Sequence, residues 1–440
     1  MIQFKEDFHL GVATASAQIE GGEPASNWNH YSDAGKISDG SNIKRANQHW
    51  ERYPEDIALL EQLGIRYYRM SVEWARIEPE EGKFSKEAIL HYRDEISRMH
   101  EHGIQVLLTL YHFSHPQWFE EKGAFTKEEN IDIFLRYVAY TVDKLGDLVS
   151  DYCTLNEPNV YAVNSFFFGE WLNEEKNFFK TIQCMNVFIT CHLEAYTLIH
   201  QIRSAHGCKD SMVTFAHHMR YFEAEKDNWI DRKGTKILDF LFQTGLFEAC
   251  SKAHFRWPFC NLRHFEPGQY IDKIAINYYS RGLVHNFQDK TKEDAPKNDL
   301  GWEIYPEGLL HCARACYDYL PLPIIISENG TCDNQDDFRP LFLYDQLKLI
   351  AESDLPITHY YHWCFLDNFE WKEGERARFG LVHCDYESQK RTLKNSAKMY
   401  QEMIKVHGIT DEIKAKYVAP CKYHYGERHV FPEIEGKVWR

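Results

Sequence analysis

The chain has 440 residues, longer than most single compact domains, and 44% of them are hydrophobic, enough to bury a large core. Its 50 Lys and Arg stand against 66 Asp and Glu, and the net charge of −16 argues against nucleic acid and anionic membranes as partners. No apolar run approaches a membrane span, and the opening MIQFKEDFHLG lacks the apolar stretch of a signal peptide, so a cytoplasmic protein is expected.

Phe8–Thr14 (FHLGVAT) reads as a first strand, and the loop Ser16–Gly22 puts Gln18 and Glu20 near its tip. A polar, Gly-containing loop then runs to about Trp50. Pro54, a good first-turn residue, opens a helix that Gly64 stops, with Ile57, Leu60 and Leu63 on one face. Arg66–Ser71 is the second strand, and Arg69 inside it requires a buried anion. A helix over Ser85–Gly103 precedes the third strand, Gln105–Tyr111. Thr126 and Glu129 form a capping box for a helix ending near Gly146. The fourth strand closes on Thr154, Leu155 and Asn156.

A helical pattern covers about 180–206, and Ser211–Ala216 is the fifth strand. Lys273–Tyr278 is the sixth, Pro306–Tyr319 a helix, Pro323–Ser327 the seventh strand and Asp336–Glu352 a helix. Thr358–Trp363 is the eighth strand, with a loop to about Asp385 and a last helix over about Arg391–His407. Eight apolar strands alternating with helices predict the α/β class and a single (β/α)8 TIM barrel. No linker divides residues 1–440, and a polar C-terminal extension begins at about 409. The 12 scattered Cys contain no CxxC pair and read as reduced, mostly buried thiols.

Barrel chemistry gathers at the C-terminal ends of the strands. The fourth strand ends in Glu157, where Pro158 stops further pairing, and the seventh ends in Glu328 followed by Asn329 and Gly330. Paired carboxylates on strand tips are what glycoside hydrolysis requires. The other tips supply Gln18, Arg69, His112, Asn156, Asn277, Tyr279, Trp363, Glu370 and Trp371. Such hydrogen-bonding groups and flat aromatic plates suit a sugar.

Seven stretches, GVATASAQIEGG (11–22), YRMSVEWARIEPEEG (68–82), TLNEP (154–158), INYYS (276–280), GWEIYPEG (301–308), ISENG (326–330) and HWCFLDNFEWKEG (362–374), carry a resemblance to family 1 glycoside hydrolases over nearly the whole chain. The resemblance implies a (β/α)8 barrel, a retaining exo-acting β-glycosidase on β-D-glucosides and β-D-galactosides, a small β-glycoside substrate, and no metal or other cofactor. It implies Glu157 as acid/base, Glu328 as nucleophile and Arg69 as its partner, with Tyr279 orienting Glu328. It implies Gln18, His112, Asn156, Glu370 and Trp371 as glycone ligands, Trp363 as a stacking plate, Asn277 lining the site and Trp302 on the aglycone side. Phe113, where the family often has Trp, and Cys364, where Ser is common, depart from the pattern.

A 6-phospho-β-glycosidase and a non-catalytic sugar-binding barrel are the alternatives, and a homo-oligomer stays open. The loop Asp367–Arg378 favours an unphosphorylated sugar, because Glu370 stands where a phosphate would be repelled. His112-x-x-His115 and His359-x-x-His362 carry the residue type of a metal site, but strand alternation aims each pair apart. Asn329-Gly330-Thr331 matches a glycosylation sequon by coincidence, and Asp333, Asp336 and Asp337 read as a solvated acidic loop.

Overall fold

The computed structural model describes residues 1–426 and Phe431. Eight strands form the barrel: β1 (His9–Ala13), β2 (Tyr67–Ser71), β3 (Gln105–Thr109), β4 (Asp151–Asn156), β5 (Met212–Ala224), β6 (Ile274–His285), β7 (Ile324–Asn329) and β8 (Ile357–Trp363). Each pairs in parallel with the next, and β8 pairs with β1, which closes the ring. The strands are apolar almost throughout because both faces are buried, one by the barrel interior and one by helices. In β7 all six residues are buried.

The surrounding helices are α1 (His49–Gln62), α2 (Lys86–Glu101), α3 (Ile131–Leu145), α4 (Phe178–Ala205), α5 (Trp229–Asp239), α6 (Glu307–Tyr319), α7 (Arg339–Glu352) and α8 (Asn395–Val406). In α3 the buried residues Phe134, Tyr137, Val138, Thr141, Val142 and Leu145 recur at helical spacing and form one inward face. The described residues after 409 stay attached to the rest of the chain. Gly408–Ile409 pairs with Ile2–Gln3, and His424–Tyr425 pairs with Pro296–Lys297.

Several local expectations need correction. α1 begins at His49 and carries Pro54 inside it. Its polar start is buried because His49 is bonded to Asp56 at 2.7 Å and Glu95 at 2.9 Å. Burial opposes a charge on this imidazole, but the two carboxylates push it up to about 10. The stretch read as loop before Trp50 holds a helix, Asn27–Asp33, whose Trp28 is fully buried. Thr126 makes no capping box; its hydroxyl donates to the Gly123 carbonyl, and α3 starts five residues later. β5 and β6 run on past the barrel as a paired ribbon from Tyr221–Ala224 to Arg281–Val284. This half-exposed ribbon has no continuous apolar run to announce it. Arg391–Leu393 is a short strand beside Val382–Cys384, and α8 starts only at Asn395.

In the acidic loop before α7, Asp333 and Asp336 are buried, whereas Asp337 is exposed as expected. The Asp333 carboxylate accepts from the backbone N–H groups of Asp337, Phe338 and Arg339, which satisfies the start of the helix. Asp336 pairs with the fully buried Arg339 and accepts from Ser396. Asn329 is also buried, its amide donating to Tyr278 O at 2.6 Å and accepting from Tyr360 at 2.7 Å, so the sequon is closed to a glycan. Removing one partner of a buried ion pair leaves an uncompensated charge. Asp336→Ala is expected to cost about 3–5 kcal/mol, read as a lowered denaturation midpoint. A midpoint equal to the parent's would show that Arg339 is satisfied by the Asp333 and Arg378 carbonyls alone.

Candidate active site

The two strand-tip glutamates open onto one cavity of about 960 Å³ at the C-terminal mouth of the barrel. Glu157 sits in left-handed backbone (φ 43°) between β4 and the turn begun by Pro158, and its N–H donates to Ala216 O on β5 at 2.8 Å. Glu328 is the penultimate residue of β7. Gly330 follows because the chain passes β8 so closely that a Cβ there would lie 1.8 Å from the Trp363 carbonyl.

Arg69 fills the space between these tips with no exposure to solvent. It pairs with Glu328 through one nitrogen, donates to Ser327 O at 3.2 Å and Thr109 Oγ1 at 3.2 Å, and reaches Asn156 Oδ1 at 2.7 Å. Tyr279 donates to the other Glu328 oxygen at 2.7 Å. Burial pushes the Glu328 carboxyl up, to about 7; Arg69 pulls it down, Glu157 raises it further and Tyr279 opposes the rise. Arg69 and Tyr279 both act against that rise and favour the charged form of Glu328. Burial and the adjacent Glu328 push the Tyr279 phenol well up, so it stays a donor.

Glu157 has different neighbours. Its Oε1 accepts from Asn277 Nδ2 at 2.8 Å and meets His218 Nδ1 at 2.9 Å. Asn277 is corrected from a lining residue to one behind the wall. Its short amide is committed to Glu157, to Asn156 at 3.1 Å and to Ser327 at 2.7 Å. Gln18 also stands behind the wall, donating to Phe369 O at 2.7 Å and Glu370 Oε2 at 3.2 Å. His112, Asn156, Tyr279, Trp302, Trp363, Glu370 and Trp371 all line the cavity with the two glutamates.

Burial and Arg69 push His112 well below its ordinary value, so it is neutral. Its Nε2 faces Asn156 Nδ2 at 3.0 Å and accepts, which leaves the proton on Nδ1, a buried donor without a protein partner among the described residues. The ring lies nearly parallel to Trp363 and Trp371, with centroids 5.6 and 6.0 Å away. His115 turns away to Glu120 at 2.6 Å, and His362 to Phe379 O at 3.3 Å, so neither His-x-x-His pair converges. Phe113 packs edge-on against Trp171 and Trp371, at 5.2 and 5.3 Å, and Cys364 donates away from the cavity to Leu366 O.

Several lining residues carried no local signal, among them His218, Trp171, Phe242 and Phe379. His218 lies on the unannounced extension of β5, where period-2 alternation sends it inward and His217 outward to Gln243 O at 3.1 Å. Only that strand assignment would have marked it.

A parallel barrel with paired carboxylates and aromatic plates at its mouth defines a glycoside hydrolase. The chain matches the model of glycosyl hydrolase family 1 over residues 1–409 and belongs to that family. It is 30% identical to β-glucosidase A of Thermotoga maritima over 451 aligned residues, which cover 93% of this chain and 99% of that one. It is 26% identical to a β-galactosidase of Sulfolobus acidocaldarius, over 94% of this chain and 97% of that one. Among solved structures, the β-glycosidase of Pyrococcus horikoshii superposes with a TM-score of 0.86 at 32% identity, covering 94% and 98% of the two chains. The Thermotoga maritima β-glucosidase bound to glucoimidazole gives 0.86 at 28% identity, covering 93% and 100%.

Burial and the nearby Glu328 push Glu370 up to about 8, against the bond from Gln18. Its ordinary value is 4.5, so between about pH 4.5 and 8 the folded protein keeps a proton that the unfolded chain has released. Stability contributed by this group is therefore lost as pH rises through that window. Glu370→Gln is expected to melt with a smaller fall in Tm between pH 5 and pH 8 than the parent. An unchanged fall would place Glu370 in solvent-like surroundings.

Proposed function

We propose that this protein is a retaining, exo-acting β-glycosidase that hydrolyses β-D-glucosides and β-D-galactosides through a covalent glycosyl-enzyme intermediate. The observation that carries the reading is the unequal setting of the two glutamates. Glu328 is gripped by a guanidinium and a phenol, whereas Glu157 is held by an amide and an imidazole. At a buried pair, two negative charges are costly, and one proton is shared. Arg69 and Tyr279 favour the anion at Glu328, so the proton serves Glu157 as general acid.

In the first step a Glu328 oxygen attacks C1, the glycosidic C1–O bond breaks, and the departing oxygen takes the proton of Glu157. Esterification removes the charge of Glu328, so Glu157 can then act as base. In the second step water attacks C1, gives its proton to Glu157, and the ester bond breaks to restore the Glu328 carboxylate. Glu370, held from behind by Gln18, lines the pocket, and Trp363 offers a plate to the sugar ring. The relatives named β-glucosidase and β-galactosidase support both substrates.

An unphosphorylated sugar fits the charges better than its 6-phosphate. Burial and then the nearby Glu328 raise Glu370 to about 8, and a 6-phosphate would bring about two more negative charges beside it. Of the loop's three cations, Arg376 is tied to Glu373 at 2.9 Å and Arg378 lies 3.7 Å from Asp367, while Lys372 alone lines the cavity.

Proton NMR of a nitrophenyl β-glucoside digest is expected to show the β anomer of glucose first; α-glucose first would establish inversion. Glu328→Gly is expected to lose turnover by a factor of about 10⁴ or more, as for other covalent nucleophiles, with partial rescue by azide. A folded variant without rescue would remove Glu328 from the role. The parent is expected to show a higher kcat/KM for the nitrophenyl β-glucoside than for its 6-phosphate, and the reverse order would overturn the substrate assignment.

A further inference from the structure

We propose that His218 is a positioning residue for Glu157. It occupies Oε1 and so makes Oε2 the atom that gives a proton to the leaving group and later takes one from water. The inference rests on the acid/base role proposed above for Glu157.

Hydrogen-bond directions across the site can be traced from one fixed point. A guanidinium only donates, so the Asn156 atom 2.7 Å from Arg69 is its oxygen. That oxygen can only accept, so the Asn277 atom 3.1 Å away is a nitrogen. The same Asn277 nitrogen therefore donates to Glu157 Oε1 at 2.8 Å. His218 Nδ1 lies 2.9 Å from that same oxygen. Glu157 Oε2 has no protein partner among the described residues.

Two arrangements of His218 are open to this geometry. With its proton on Nδ1, the imidazole donates to Oε1, which then holds two donors and cannot also carry the carboxyl proton. The acid proton is forced onto Oε2. With its proton on Nε2, Nδ1 would accept, drawing the carboxyl proton onto Oε1 and into a bond with the protein. Only the first leaves the proton available to a substrate. The same donor then stabilises the carboxylate formed when Oε2 has released its proton to the departing oxygen.

The ring is clamped for this task. The His218 carbonyl accepts from Asn159, in the turn that follows Glu157, at 2.9 Å. Its face lies against Tyr279 at 5.8 Å with an interplanar angle of 16°, and Phe242 meets it edge-on at 5.8 Å. Tyr279 is the donor to Glu328, so one stacked pair of rings orients both carboxyl groups.

A purely structural ring would predict that shape alone matters, whereas positioning requires the N–H. His218→Phe keeps a ring for the stack and removes the donor. Its kcat/KM is expected to fall roughly 10–100-fold for phenyl β-glucoside, whose leaving group needs protonation, and less than about 3-fold for 2,4-dinitrophenyl β-glucoside, whose leaving group does not. His218→Asn, which returns an N–H donor near Nδ1, is expected to recover most of the phenyl glucoside rate. Equal losses on both substrates, or no recovery with Asn, would reduce His218 to packing. The parent's own rates on these substrates test the proposed β-glycosidase activity separately. Nitrogen-15 NMR of the parent's histidines, with His218 assigned by the signal missing from His218→Asn, reads the bond without turnover. An Nδ1–H tautomer is expected, and an Nε2–H tautomer overturns the proposal.

Discussion

A guanidinium buried without solvent contact has to be paired in nearly every direction, and Arg69 is. Its bonds join Thr109 at the end of β3, Asn156 at the end of β4, and Ser327 and Glu328 in β7. Because it can only donate, it sets the sense of every bond that follows. Asn156 turns its oxygen to Arg69 and its nitrogen to His112, which fixes the neutral imidazole with its free N–H on Nδ1. Asn277 is oriented by the same oxygen and in turn donates to Glu157. The two carboxylates of the site are thus held in different environments by a network with one cation at its root.

The site is short of positive charge. Glu157, Glu328 and Glu370 line a single cavity, and Arg69 pairs directly with only one of them. Burial, and after it the neighbouring carboxyl groups, push Glu328 and Glu370 up. A neutral sugar offers hydroxyl donors to such surroundings without adding charge. Behind β7 and β8 the same residue types are balanced. Lys394 meets Asp367 at 2.6 Å, with His383 at 3.2 Å on the same carboxylate, and Arg339 meets Asp336. There, despite burial, Lys394 and its neighbours hold the Asp367 carboxyl well below the usual range. Paired, these charges stiffen the barrel; under-paired, they leave protons able to move.

The aromatic wall shows how one substitution is absorbed by its neighbours. Phe113 presents less surface than a tryptophan would, and Trp171 and Trp371 pack on its edges. Trp371 also touches Trp28, which is buried beneath the loop after β1. Aromatic side chains from four separate connections, those after β1, β3, β4 and β8, therefore support one another.

Most of the barrel was legible in the sequence because both faces of each barrel strand are buried, and continuous burial writes itself as a continuous apolar run. Glu157 and Glu328 were legible for the same reason: a charge at the end of such a run, followed by Pro or by Asn-Gly, can only be at a strand tip. Elements half in solvent left no such mark, so the ribbon that extends β5 and β6 was invisible, and with it His218. Asp333 and Asp336 looked like a solvated loop because sequence shows a charge but not its partner; Arg339 and the start of α7 supply that only after folding. Which oxygen of Glu157 is occupied, and how burial, Arg69 and Tyr279 balance at Glu328, are likewise properties of assembled neighbours. His218 and Glu157 are 61 residues apart, and Arg69 and Glu328 are 259 apart. Local pattern fixed which residues arrive at the mouth of the barrel, and only the closed ring decided which of them touch.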